Sequence, residues 1–62
     1  MNSKEFDAAW AERTTKFVAV RDALRKANMA YAYRMAFEQP WRFYHEHTVN
    51  EAIKILTERY AD

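Results

Sequence analysis

From Phe6 onward the apolar residues recur at intervals of three, four or seven: Phe6, Trp10, Phe17, Val20, Leu24, Ala27, Tyr31 and Met35. At about 100° per residue they fall within one stripe about 100° wide, the mark of an amphipathic helix. Strand-like alternation is not sustained anywhere along this stretch. After Asn28 a second apolar row, Met29, Tyr33, Ala36 and Phe37, lies well away from Tyr31 and Met35. A helix apolar on most sides is normally enclosed on most sides, which places 29–37 at the centre of the packing.

Local signals set the helix ends. Asn2 or Ser3 can accept a hydrogen bond from a free backbone N–H, and Glu5 and Asp7 suit the positive end of a helix dipole. Pro40 ends one helix and can open the next, giving a short turn of helix over about 40–46. Thr48-Val49-Asn50-Glu51 reads as a capping box, in which Thr48 and Glu51 satisfy each other's backbone N–H. The last helix then runs over about 48–60, with Val49, Ala52, Ile53, Leu56 and Tyr60 on one face.

Asn28 allows two readings of the first helix. Arg25 and Lys26 suit a helix C-terminus, and Asn tolerates the left-handed backbone that closes one. A break there gives a compact bundle. Without a break, one helix covers about 3–38, about 54 Å at 1.5 Å per residue, and a last helix of about 20 Å covers less than half of it. Glycine is absent from the chain, so the continuous or gently kinked helix is the preferred reading. The expected fold is all-α: a single domain over 1–62, a small helical bundle completed by self-association or by a partner.

Composition narrows the role. At 62 residues the chain buries about 60% of the surface its unfolded form exposes, which makes a lone monomer marginal. It has no cysteine, so disulfides, thiolate ligands and thiol nucleophiles are excluded together. Half the residues are hydrophobic and 16% aromatic, too many for a disordered chain. Charges interrupt the apolar residues throughout, so no membrane span is expected. Met1 to Trp10 lacks the basic start and apolar run of a signal peptide, and a cytoplasmic location is the expectation.

Net charge is +1, distributed unevenly. Lys4 against Glu5, Asp7 and Glu12 sums to −2, whereas Arg13, Lys16, Arg21, Arg25, Lys26 and Arg34 against Asp22 sum to +5. These cations are not gathered on one face. With Arg13 at 0°, Lys16 falls at about 300°, Arg21 at about 80°, Arg25 at about 120° and Lys26 at about 220°. A nucleic-acid reader more often shows a concentrated basic face.

Little in the chain resembles catalytic or metal chemistry. In His45-Glu46-His47 the histidines are two apart, about 200° around a helix, and two ligands do not make a stable metal site. Ser3, Thr14, Thr15 and Thr48 are in no nucleophile setting, and phosphate cradles need glycines that are missing. The expectation is no enzyme, no metal, no cofactor and no small-molecule substrate.

Arg13 stands in the middle of the stripe, between Trp10 and Phe17. Either its methylenes cover the stripe while the guanidinium reaches water, or it meets an acid or aromatic face of a partner. In a self-associated form, Glu5 or Glu12 of another chain could serve. Six of the ten aromatics, Tyr31, Tyr33, Phe37, Trp41, Phe43 and Tyr44, lie within fourteen residues, flanked by Arg34 and Arg42. Such a cluster is core material and also the composition of interface hot spots.

The sequence therefore points to a protein-binding module, a small adaptor, inhibitor or regulatory subunit acting through an apolar and aromatic helical face. The candidate contact residues are Trp10, Arg13, Phe17, Tyr33, Phe37, Trp41, Arg42 and Tyr44. The expected partner is another protein or a second copy in a homodimer. The alternative is a small dimeric nucleic-acid-binding or nucleoid-associated protein using the basic segment 13–34.

Overall fold

The computed structural model describes residues 3–61, with the backbone alone of Ser3. The described residues form four helices and no strand: α1 (Ser3–Lys26), α2 (Ala30–Glu38), α3 (Trp41–Glu46) and α4 (Val49–Arg59). The cap assigned to Asn2 or the Ser3 side chain lies outside the described residues.

The continuous helix to residue 38 is corrected at Asn28, where the backbone turns left-handed, with φ 57°. The Asn28 N–H donates to the Arg25 carbonyl and the Met29 N–H to the Leu24 carbonyl, both at 3.0 Å. This nested pair is the Schellman closure of a helix, with Asn in the place glycine usually holds. Arg25 and Lys26 occupy the last turn of α1, where cations oppose the negative end of the dipole. The chain then reverses, and α2 runs back along α1 until Phe37 meets Phe17 at 5.3 Å between ring centroids.

α2 ends because Pro40 follows. Gln39 is already extended, with φ −73° and ψ 145°, as a residue before proline prefers to be. α3 begins one residue beyond Pro40 and closes at His47. The Lys16 ammonium donates to the His47 carbonyl at 3.3 Å, so a cation of α1 sits at the C-terminal end of α3. α4 opens with the capping box expected from sequence. Glu51 N–H donates to Thr48 Oγ1 at 3.1 Å, and Thr48 N–H donates to the Glu51 carboxylate at 2.8 Å. At the far end of α4, Tyr60 packs edge-on against Tyr31 of α2, at 5.5 Å.

The core is thin and sits where the four helices meet: Val20 and Leu24 from α1, Ala32 and Ala36 from α2, Phe43 and Tyr44 from α3, and Ala52 and Leu56 from α4. The alanines of α2 stand one turn apart, so its backbone approaches its neighbours closely. Only this face of α2 is fully buried, while Tyr31 and Phe37 remain about half exposed. The expectation that 29–37 would be enclosed on most sides is corrected accordingly.

Length decides how far the bundle reaches. α1 is 24 residues, about 36 Å, whereas α4 is 11 residues, about 16 Å. The molecule is 42 Å long and only 18 × 17 Å across. The core takes residues from α1 only at Val20 and Leu24, with Phe17 packed beside them, so the front half of α1 stands beyond the bundle.

Candidate protein interface

The uncovered part of α1 is amphipathic. Residues 4–8 and 10–12 are exposed, and among them Phe6 and Trp10 stand one turn apart on one face with 55% and 52% of their surface open. The Thr14 and Thr15 hydroxyls fold back on the carbonyls of Trp10 and Ala11, each at 2.9 Å. This local bonding occupies both hydroxyls with their own helix.

Arg13 continues the row of Phe6 and Trp10. It is half-buried, and its Nε is buried with no hydrogen-bond partner among the described residues. A buried donor left unpaired is costly, most of all on a charged group. One turn on, Lys16 pairs with Glu12 at 3.4 Å as well as reaching the His47 carbonyl. Lys16 thus marks the level on α1 at which the rest of the fold takes hold.

Beyond Lys16 the stripe enters an aromatic cluster centred on Phe17. Its ring lies 5.3 Å from Phe37, 5.3 Å from Tyr44 and 6.2 Å from Trp41, and the Arg21 guanidinium stands 5.8 Å from its centroid. Tyr33 adds an edge contact to Phe37 at 5.2 Å. Phe37 and Trp41 keep 51% and 38% of their surface open, forming an apolar shelf next to the covered end of the stripe.

The candidate residues thus fall into four settings. Trp10 lies on the uncovered half of α1, and the half-buried Arg13 stands at the inner edge of that half. Phe17, Tyr33, Phe37 and Trp41 form the shelf, partly covered by one another. Arg42 is exposed and paired with Glu46 at 3.4 Å, an ordinary solvated i,i+4 pair. Tyr44 is corrected to a core residue, 1% exposed, with its hydroxyl donating to the Ala36 carbonyl at 2.6 Å. Burial pushes that hydroxyl's pKa up to about 12. Phe6, left out of the candidate set, belongs with Trp10, and its spacing four residues before Trp10 was the available signal.

The histidine pair separates as well. His47 donates from Nδ1 to the Phe43 carbonyl at 2.9 Å and lays its ring over Phe43 at 4.7 Å, while His45 is exposed. Among the described residues no group of three His, Asp or Glu side chains converges to hold a metal. An open cleft of about 240 Å³ lies at the α1–α2 turn, lined by Arg25, Asn28, Met29, Ala30 and Tyr33. It lies beside the left-handed turn at Asn28, and apolar periodicity along the chain does not foretell it. Its volume is below the roughly 300–1,000 Å³ of ordinary small-molecule sites.

No protein-family model, characterised protein or solved structure matches this chain. No helix among the described residues is long and apolar enough to cross a membrane.

Proposed function

We propose that this chain is a non-enzymatic protein-binding module, a small cytoplasmic adaptor, inhibitor or regulatory subunit that docks the front half of α1 on a protein partner. The observation that carries this reading is the exposure of Phe6 and Trp10, one turn apart on a stretch of helix that the chain's own core does not reach. Side chains of this size in water are anchors in search of a pocket, and Trp and Arg dominate the energetics of protein interfaces. Presented at helical spacing, they suit helix-in-groove recognition. The shelf of Phe37 and Trp41 extends the same apolar surface toward the bundle.

The test is site-specific photo-crosslinking in cells, with the crosslinker in place of Trp10 and, as control, in place of the exposed Glu58. The expected result is a discrete protein adduct from position 10 that position 58 does not give. Identical background from both positions sinks the proposal. Adducts to nucleic acid, together with binding that weakens steeply with salt, would favour the basic segment 13–34 instead.

A further inference from the structure

We infer that the partner of the front half of α1 is the same segment of a second copy, paired antiparallel about a two-fold axis. The inference rests on the reading of that segment as a docking surface. A two-fold interface must be complementary to itself, because each residue meets its counterpart's neighbour in both directions. The front half of α1 meets this condition through the order of its charges. Its outer turn carries Lys4 and the exposed acids Glu5 and Asp7 on either side of Phe6, Trp10 stands one turn further in, and its inner turn carries Arg13 beside Glu12, which is paired with Lys16.

Antiparallel pairing centred on Ala8 sets Phe6 of each copy level with Trp10 of the other. Arg13 then falls about two residues, or 3 Å along the axis, from Glu5 of the second copy, and about four residues, or 6 Å, from Asp7. Both axial separations are within the length of an arginine side chain, whose Nε is already covered by its own chain, so the terminal guanidinium nitrogens make the contact. Parallel pairing would instead set Arg13 against Arg13 and acid against acid.

Area sets the strength. Two half-exposed Phe and two half-exposed Trp side chains offer about 400 Å² of apolar surface. Stable interfaces bury about 1,200 Å² or more in total. The pairing is therefore reversible and concentration-dependent, not obligate.

Sedimentation equilibrium of the full chain over a concentration series tests this. Mass should climb from monomer toward twofold for the native chain and stay monomeric for Arg13→Glu and for Trp10→Glu. Helicity by circular dichroism should be unchanged, and the exposed Trp10 position serves even if Arg13→Glu disturbs the fold. Mixing Arg13→Glu with a Glu5→Lys/Asp7→Lys chain should restore a mass near twofold, because opposite charges again face each other. A native chain that stays monomeric throughout, a dimer indifferent to both single substitutions, or a charge-swapped mixture that stays monomeric overturns the antiparallel pairing. A monomer that still gives adducts to a different protein from position 10 overturns the self-pairing alone. A monomer with no protein adduct overturns the docking surface as well.

Discussion

The Tyr44 hydroxyl donates to the Ala36 carbonyl at 2.6 Å, at the place where α2 would have used the backbone N–H of residue 40. Residue 40 is proline and has no N–H, so the side chain of α3 satisfies a carbonyl that the break between the helices left open. Tyr44→Phe keeps the ring and leaves that carbonyl bare in the core. Stability should fall by about 1–3 kcal/mol, read as a lower urea midpoint with an unchanged slope.

Alkaline pH should act through the same hydroxyl. Its pKa is raised by burial from 10.0 to about 12, so the folded chain holds this proton more tightly than the unfolded chain. Its contribution is complete below pH 10.0 and is lost as pH rises toward about 12. Urea midpoints measured between those limits should decline for the native chain. Tyr44→Phe should show a flatter alkaline limb, and an equal decline in both proteins would contradict the assignment.

Acid should act through the capping box of α4. The hydrogen bond from the Thr48 backbone N–H, then the Thr48 hydroxyl, holds the Glu51 carboxyl below its ordinary value of 4.5. A depressed carboxylate stabilises the fold above 4.5 and loses that contribution as pH falls through its folded pKa. Glu51→Gln should flatten the acid limb of a midpoint-against-pH curve. At neutral pH, Thr48→Ala should cost about 0.5–2 kcal/mol for the lost N-cap.

Asn28 should discriminate sharply among substitutions. Asn28→Gly keeps the left-handed turn available and should leave melting within experimental scatter. Asn28→Val forces a β-branched residue into that backbone and should cost about 1–2 kcal/mol. Equal melting of the two variants would mean that the turn is not the closure seen here.

α1 should be uneven along its length. Leu24→Ala removes a fully buried side chain and should cost about 2–5 kcal/mol. Trp10→Ala, in a dilute monomer, should change stability by no more than about 0.5 kcal/mol. Amide hydrogen exchange should follow the same gradient, fast before Lys16 and slow from Phe17 to Lys26, because only the latter stretch is held by tertiary packing.

What the chain states in sequence is what physics settles locally. The Thr48–Glu51 capping box needs only two residues three apart, the end of α2 needs only Pro40, and the helical class needs only the spacing of apolar residues. All three were legible. The break at Asn28 was legible only as an option, because extending a helix past Asn and closing it there differ little in local energy.

Tertiary structure decided that option. Reversing the chain at Asn28 brings Ala32 and Ala36 onto Val20 and Leu24, a gain that depends on residues far from the turn. The same packing sorted the aromatics. Tyr44 and Trp41 are three residues apart and alike on paper, yet Tyr44 is enclosed beneath Phe17 while Trp41 stays partly open. Phe17 and Trp10 share one stripe, but α2 and α3 reach the level of Phe17 and stop there, leaving Trp10 and Phe6 in water. Periodicity names the face of a helix that is apolar. How much of that face is covered depends on where the other helices end, and that is a property of the whole packed chain.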